Sequence, residues 1–163
     1  MEIRKAVECD LPRMMEIYRV AQNYMIAAGN PGQWGHFYPS EEVLLRDIAL
    51  GNAYLLCQRE EIHGAFVMIA GDEPNYQRIE EGAWLNEEPY VTIHRVASDG
   101  TCHGVFREIL AYCRAHADHI RIDTHEKNLT MQGQIRKNGF TYCGRIYVED
   151  GTPRVAFQWS RGQ

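Results

Sequence analysis

The sequence predicts one α/β domain: a mixed sheet, parallel in part and antiparallel elsewhere, with helices on both faces. Three observations predict it. The chain has 163 residues, the size of one domain (residues 1–163) rather than two. Its second half alternates strand, helix, strand, helix, strand, which demands parallel pairing with right-handed crossovers. Two stretches, Ala53–Ala70 and Thr141–Trp159, read as hairpins and demand antiparallel pairing.

The elements follow in order. Ile3–Val7 reads as a short first strand. Asp10 suits a helix N-cap, with Pro12 in the first turn. Leu11, Met14, Met15, Tyr18 and Met25 then recur at helical spacing, up to Gly29. A loop rich in Gly, Pro and aromatics spans Asn30–Pro39. Ser40 caps a second helix, Glu41–Leu50, with acidic residues in its first turn. Ala53–Gln58 and His63–Ala70 flank a polar turn. The connection Gly71–Glu88 is long, and such loops often carry function. Tyr90–Ser98 is the next strand. A helix runs from Gly104 to about Ala117, with Phe106, Ile109, Leu110 and Cys113 on one face. Ile120–Thr124 is a strand. Asn128 caps a helix that stops at Gly139, a C′ glycine. Strands Thr141–Val148 and Pro153–Trp159 close the chain around Asp150-Gly151, a strong hairpin signal.

Composition narrows the class. Residues of the AVILMFWYC set make up 45% and charged residues 24%, as in ordinary globular proteins. A chain this size buries roughly 70% of its unfolded surface and needs no staple. The formal net charge of −5 offers no basic face for nucleic acid. No apolar run approaches the roughly 18 residues of a membrane span. Met1–Lys5 opens without an apolar stretch, so no secretory leader is expected and the expected location is cytoplasmic. The five cysteines are odd in number and lack C-x-x-C spacing, which fits reduced thiols.

The stretch Tyr90–Leu110 carries the chemistry. It reads as a strand, a glycine-bracketed turn and a helix N-terminus. That helix end leaves backbone N–H groups unpaired and carries partial positive charge, so it can cradle a pyrophosphate. By itself, such a turn also fits glycines that only reverse the chain.

The surroundings decide the reading. The strand ends His94-Arg95-Val96-Ala97-Ser98, the loop reads Thr101-Cys102-His103-Gly104-Val105-Phe106, and Asn128 later precedes a helix ending in Gly139-Phe140. From Ile3 to about Trp159 the chain resembles the GNAT superfamily of N-acetyltransferases. The family's loop reads R/Q-x-x-G-x-G/A. Gly104 matches its first glycine, Thr101 stands for the Arg or Gln, Phe106 stands for the second small residue, and the loop is about two residues short. The resemblance implies acetyl-CoA as cosubstrate. It implies a mixed, mostly antiparallel sheet with splayed central parallel strands, in which the strand at Val96, Ala97 and Ser98 parts from Ile120–Thr124 and takes pantetheine in the gap. Amides of Cys102–Phe106 would hold the pyrophosphate, and Asn128 and Met131 would border the thioester arm.

The chemistry can be reasoned separately. An amine attacking a thioester creates an oxyanion, which a backbone N–H near Val96 can stabilise. A base must take the ammonium proton. His94 is the candidate: imidazole titrates near neutrality, and strict alternation places it on one face with Thr92, Val96 and Ser98. No general acid carries over, because Ile135 stands where many family members have tyrosine. Tyr142, Cys143 and Tyr147 lie in the following strand.

The acceptor side is expected at Trp34–Tyr38 and at Gly71–Glu88, whose carboxylates outnumber Arg78 and would attract a cationic amine. Trp34, Tyr38, Trp84 and Asp123 are the candidate contacts, although Trp84 and Tyr90 also fit a core role. Cys113, His116, His119 and His125 lack a convincing zinc pattern, so no metal is expected. The exposed edge of the terminal hairpin offers a surface for a homodimer. The competing function is a CoA-binding sensor or scaffold without catalysis.

Overall fold

The computed structural model describes residues 1–163. Its elements are β1 (Glu2–Lys5), α1 (Leu11–Ala27), α2 (Glu41–Ala49), β2 (Ala53–Gln58), β3 (Glu61–Ala70), β4 (Val91–Ser98), α3 (Val105–His116), β5 (His119–Thr124), α4 (Leu129–Lys137), β6 (Thr141–Tyr147) and β7 (Pro153–Ser160). Short 3-10 turns at Glu8–Asp10 and Pro74–Tyr76 were not expected from the pattern. The seven strands form one sheet in the order β1-β2-β3-β4-β5-β7-β6. Only β4 and β5 run parallel; every other pairing is antiparallel.

Local chemistry sets most boundaries. The Ser40 hydroxyl accepts from the Val43 amide, and the Asn128 side chain accepts from the Met131 amide. Asp10 precedes α1 but does not cap it. Its carboxylate is drawn to the Arg4 guanidinium at 2.8 and 2.9 Å and to the Val7 amide at 2.8 Å. Glu149-Asp150-Gly151 turns the last hairpin, closed by Val148 and Thr152, with Gly151 at φ +82°.

Strand alternation sorts the core. Phe66, Ile93, Ile122 and Phe157 face α3 and α4 and pack on Ile109, Leu110, Cys113 and Ile135. Leu55, Ala65 and Ala97 face α1 and α2 and pack on Met14, Ile17, Tyr18 and Leu44. No helix covers that second face beyond β4. The connection 71–88 lies there instead, and packs Tyr76, Ile79 and Trp84 on Tyr90, Ile146 and Ala156. Its length is therefore structural: it serves as the missing helix. Arg121, 4% exposed, stacks between the Trp84 and Tyr90 rings at 4.2 and 3.9 Å.

The same connection reaches β6, the sheet edge. Glu80 exchanges backbone hydrogen bonds with Arg145 in both directions, 2.9 and 2.8 Å. A Cβ on Gly144 would sit 2.4 Å from the Glu80 carbonyl, so only glycine permits the approach. This contact shortens the edge left open to a second copy. No helix is long and apolar enough to cross a membrane.

Candidate active site

The central feature is where β4 and β5 part. Their parallel pairing covers only Val91–Ile93 against Ile120–Ile122. From His94 onward that edge of β4 has no strand partner. A cleft of about 720 Å³ opens there, bounded by the loop 31–38, the connection near Glu73, α4 at Met131 and the hairpin at Glu149-Asp150.

A bulge in β4 shapes this gap. Val67 pairs with His94 and Ala65 with Ala97, so three steps on β4 oppose two on β3. Arg95 sits at φ +50°, a left-handed conformation a non-glycine side chain disfavours. The surroundings hold it there. Its Nε and Nη2 donate to Asp47 at 2.8 and 2.7 Å, its Nη1 donates to the Tyr38 hydroxyl at 2.8 Å, and its carbonyl accepts from the Tyr18 hydroxyl at 2.7 Å. Burial, the largest influence, lowers the Arg95 pKa; the Asp47 hydrogen bonds together with the charges of Tyr38, Asp47 and Tyr18 outweigh it and raise the pKa overall. Tyr18, fully buried, is pushed up by burial and stays protonated.

The bulge corrects the strict alternation expected for this strand. Val96 packs with the cluster facing α3 and α4, as Ile93 does, while Ala97 faces α1 and α2. His94 therefore does not share a face with Val96 and Ser98. It lies with Thr92 on the other face, toward the connection. No local pattern signals this, because the extra residue is fixed by pairing with β3.

His94 has a partner that sequence reading did not assign. Its Nε2 lies 3.0 Å from Glu73 Oε2. The His94 hydrogen bond holds the Glu73 carboxylate below the usual range, against burial, and the Asn75 amide adds to the effect. An ionised carboxylate only accepts, so Nε2 carries the proton and Nδ1 is left as the basic nitrogen. Below them the Tyr76 hydroxyl donates to Asp123 Oδ2 at 2.5 Å. Burial first, then the Asp123 charge, raises the Tyr76 pKa well above its ordinary value.

The other expected residues separate into groups. Trp34, Tyr38, Val96, Asp123 and Met131 line the cleft with His94. Trp84 does not. It donates from Nε1 to the Tyr76 carbonyl and packs beneath the connection, so its substrate role is replaced by a core role. Ala97 is buried at 3% exposure, with its side chain turned toward α1 and α2. Asn128 is occupied as a cap, with its Nδ2 bonded to Gln33 Oε1 at 3.0 Å. That bond ties the loop after α1 to the start of α4. Ile135 is wholly buried; Tyr142 packs on Phe157, and Tyr147 donates to Glu80, so neither lines the cleft.

Thr101, Cys102, His103 and Gly104 form the turn before α3. Asp99 organises it, accepting from the Thr101 amide and hydroxyl, and is itself held by Arg13 and His63. Gly104 is at φ +78°, and a Cβ there would come 3.6 Å from the Arg107 guanidinium. Glu108 is the first residue to donate back into the helix, to Gly104, so the amides of Val105, Phe106 and Arg107 point outward without a helical partner. No side chain caps them. This end of α3 fits a pyrophosphate.

The histidines and cysteine weighed as metal ligands are dispersed. Burial pushes the Cys113 thiol up to about 12, His116 bonds the Tyr112 carbonyl, and His119 bonds Ser160. No group of three or more potential ligands is assembled.

The site is thus a mixed sheet split between its two parallel strands, with an uncapped helix N-terminus beyond the split. By sequence alone, no protein-family model and no curated protein matches the chain. By structure it is similar to a GNAT-family acetyltransferase from Streptococcus agalactiae at 29% identity, covering 99% of this chain and 96% of that one with a TM-score of 0.83. It is also similar to an acetyltransferase from Staphylococcus aureus at 24% identity (98% and 99% covered, TM-score 0.70). A third similar structure, a Salmonella typhimurium protein solved with its cofactor acetyl-CoA, is 14% identical (98% and 92% covered, TM-score 0.62). The chain has the fold of the GNAT-family acetyltransferases to which it is similar.

Proposed function

We propose that residues 1–163 act as one acetyl-CoA-dependent N-acetyltransferase domain, moving an acetyl group directly to a primary amine. The observation that carries this reading is the His94–Glu73 pair set at the split between β4 and β5, beside a bulge that leaves Arg95 and Val96 without a partner in the β3 register. Acetyl-CoA supplies the activated acyl group. The outward amides of Val105, Phe106 and Arg107 hold its pyrophosphate, and the unpaired edge of β4 at Val96 and Ser98 pairs with its amide-bearing arm.

His94 removes the ammonium proton through Nδ1, and Glu73 orients the ring and balances the imidazolium charge. The Val96 N–H stabilises the charge developing on the carbonyl oxygen, in a site where Arg95 is already locked and no reorganisation is needed. No tyrosine or cysteine of β6 lines the cleft, and the thiolate leaves without an assigned acid. The carboxylates of Glu73 and Asp123 favour a cationic acceptor. No nucleic acid or membrane partner is part of this reading, and its setting is the cytoplasm.

Ile135, buried where many family members carry tyrosine, favours the second reading, a CoA-binding module without turnover. Calorimetry with acetyl-CoA, followed by thiol release against a panel of amines, decides between them. Binding with thiol release supports the transferase. Binding without release under every amine supports the module. No binding overturns both.

A further inference from the structure

Two arginines of the sheet are buried without an ion pair, Arg121 at 4% exposure and Arg154 at 7%. Arg121 is satisfied. It stacks between two rings and donates to the Asn86 carbonyl and Gln158. Arg154 is not. It has no aromatic partner, and its one hydrogen bond runs from Nη1 to the carbonyl of its neighbour Pro153, 3.1 Å. Four of its five donors have no protein acceptor. Elsewhere in the molecule Arg4, Arg13 and Arg95 each meet a carboxylate within 3 Å. A guanidinium left this way in a concave site is short of a planar, two-oxygen acceptor.

Arg154 lines the same cleft as His94. It shares a sheet face with Asp123, since Asp123 pairs with Ala156 and Arg154 lies two residues before it on β7. Burial lowers the Arg154 pKa, and Asp123 and Asp150 partly oppose this. Asp123 uses one oxygen for Tyr76, and no protein donor meets the other. The cleft thus sets carboxylates and an unpaired guanidinium on one wall. Resting on the transferase reading, we infer that the acceptor is an amino-carboxylate of the α-amino acid type, its ammonium toward Glu73 and Asp123 and its carboxylate paired with Arg154. Arg154 is then a specificity residue, not a part of the proton transfer.

The test compares the twenty L-amino acids with their decarboxylated amines as acceptors for acetyl-CoA, read by thiol release. The expected result is that at least one amino acid exceeds its own amine in kcat/KM by about tenfold or more. Arg154→Gln brings that ratio toward one by raising KM for the acid, and leaves the amine's kcat and the acetyl-CoA Kd unchanged; Arg154→Lys restores part of the ratio. Amines acetylated as well as their acids, or a ratio unmoved in Arg154→Gln, overturn the inference. If Arg154→Gln does not fold, the wild-type ratio and Arg154→Lys decide alone. If nothing in the panel is acetylated, calorimetry with the same compounds on CoA-saturated protein decides, and absence of amino-acid binding overturns the inference. Acetyl-CoA binding in the same preparation separates the failures: without it the transferase reading falls as well.

Discussion

His94 and Glu73 are separated by 21 positions in sequence and meet at 3.0 Å in the cleft. Their proposed division of labour has distinct consequences. His94→Ala lowers kcat/KM for acetyl transfer by about 100-fold or more, the size of a lost general base, and leaves acetyl-CoA affinity unchanged. An unaltered rate would remove His94 from the mechanism. Glu73→Gln lowers kcat while the acetyl-CoA Kd stays put. Gly104 tests the other end of the site. Gly104→Asp places a negative charge at the uncapped amides and weakens acetyl-CoA binding by at least tenfold, measured by calorimetry. Gly104→Ala is the control. Its Cβ meets only ordinary contacts, so it carries a left-handed backbone strain of about 1–2 kcal/mol without the charge.

At the scale of elements, the bulge of β4 depends on a residue of α2. Asp47 is 5% exposed and pairs through both oxygens with Arg95, whose Nη1 also fixes Tyr38. Asp47→Asn leaves a largely buried guanidinium underpaired. The expected cost is about 3 kcal/mol, and the Tm falls by roughly 6–12 °C. Turnover falls further than the Tm alone explains, because the Val96 amide and the Tyr38 wall lose their support. Calorimetric scanning together with kcat at a temperature below the variant's transition separates the two effects. A variant of unchanged Tm and rate would mean that β3 pairing holds the bulge unaided.

At the scale of the whole molecule, stability depends on pH in one direction. Asp10, Glu73 and Asp99 have carboxyls held below the usual range. For Asp10 the Arg4 hydrogen bond leads, and for Glu73 the His94 bond leads. For Asp99 burial opposes the shift, and the Thr101 and His63 hydrogen bonds outweigh it. A depressed carboxyl contributes stability that is present above its unfolded pKa of about 4 and is lost as pH falls through the folded value. Burial also lowers the His125 pKa, so the fold prefers its neutral form. Protonating it favours the unfolded chain from about pH 6.5 downward. Both effects share a sign. Urea midpoints measured from pH 8 to pH 3 fall first gently below about 6.5 and then steeply below about 4. A midpoint that rises on acidification would mean these contacts do not form in solution.

Much of the frame was legible because its causes are local. Ser40 and Asn128 cap their helices through their own side chains, and Gly139 and Gly151 supply the left-handed turns that end α4 and the last hairpin. The alternation of strands and helices indicated some parallel pairing and the hairpins antiparallel pairing, while the resemblance supplied the single splayed parallel pair. Asp10 shows the limit: a suitable cap residue was taken by Arg4, a competitor from another element. Trp84 shows another, since an aromatic residue in an acidic loop reads equally as pocket wall or as core.

The sequence by itself determined the order of elements, the faces that α1 and α3 bury and the glycine turn before α3, because these follow from periodicity, capping and backbone freedom within a few residues. Only the tertiary structure decided the register of β4 on β3. That register moved Val96 to the other face from His94, left Val96 without a partner on β3 and set Arg95 against Asp47. The tertiary structure also brought Glu73 to His94 and left Arg154 buried without a side-chain partner. Each of these is a long-range pairing, and a one-residue slip in register redirects every side chain beyond it. Alternation read along the chain cannot anticipate a bulge that is imposed from the neighbouring strand.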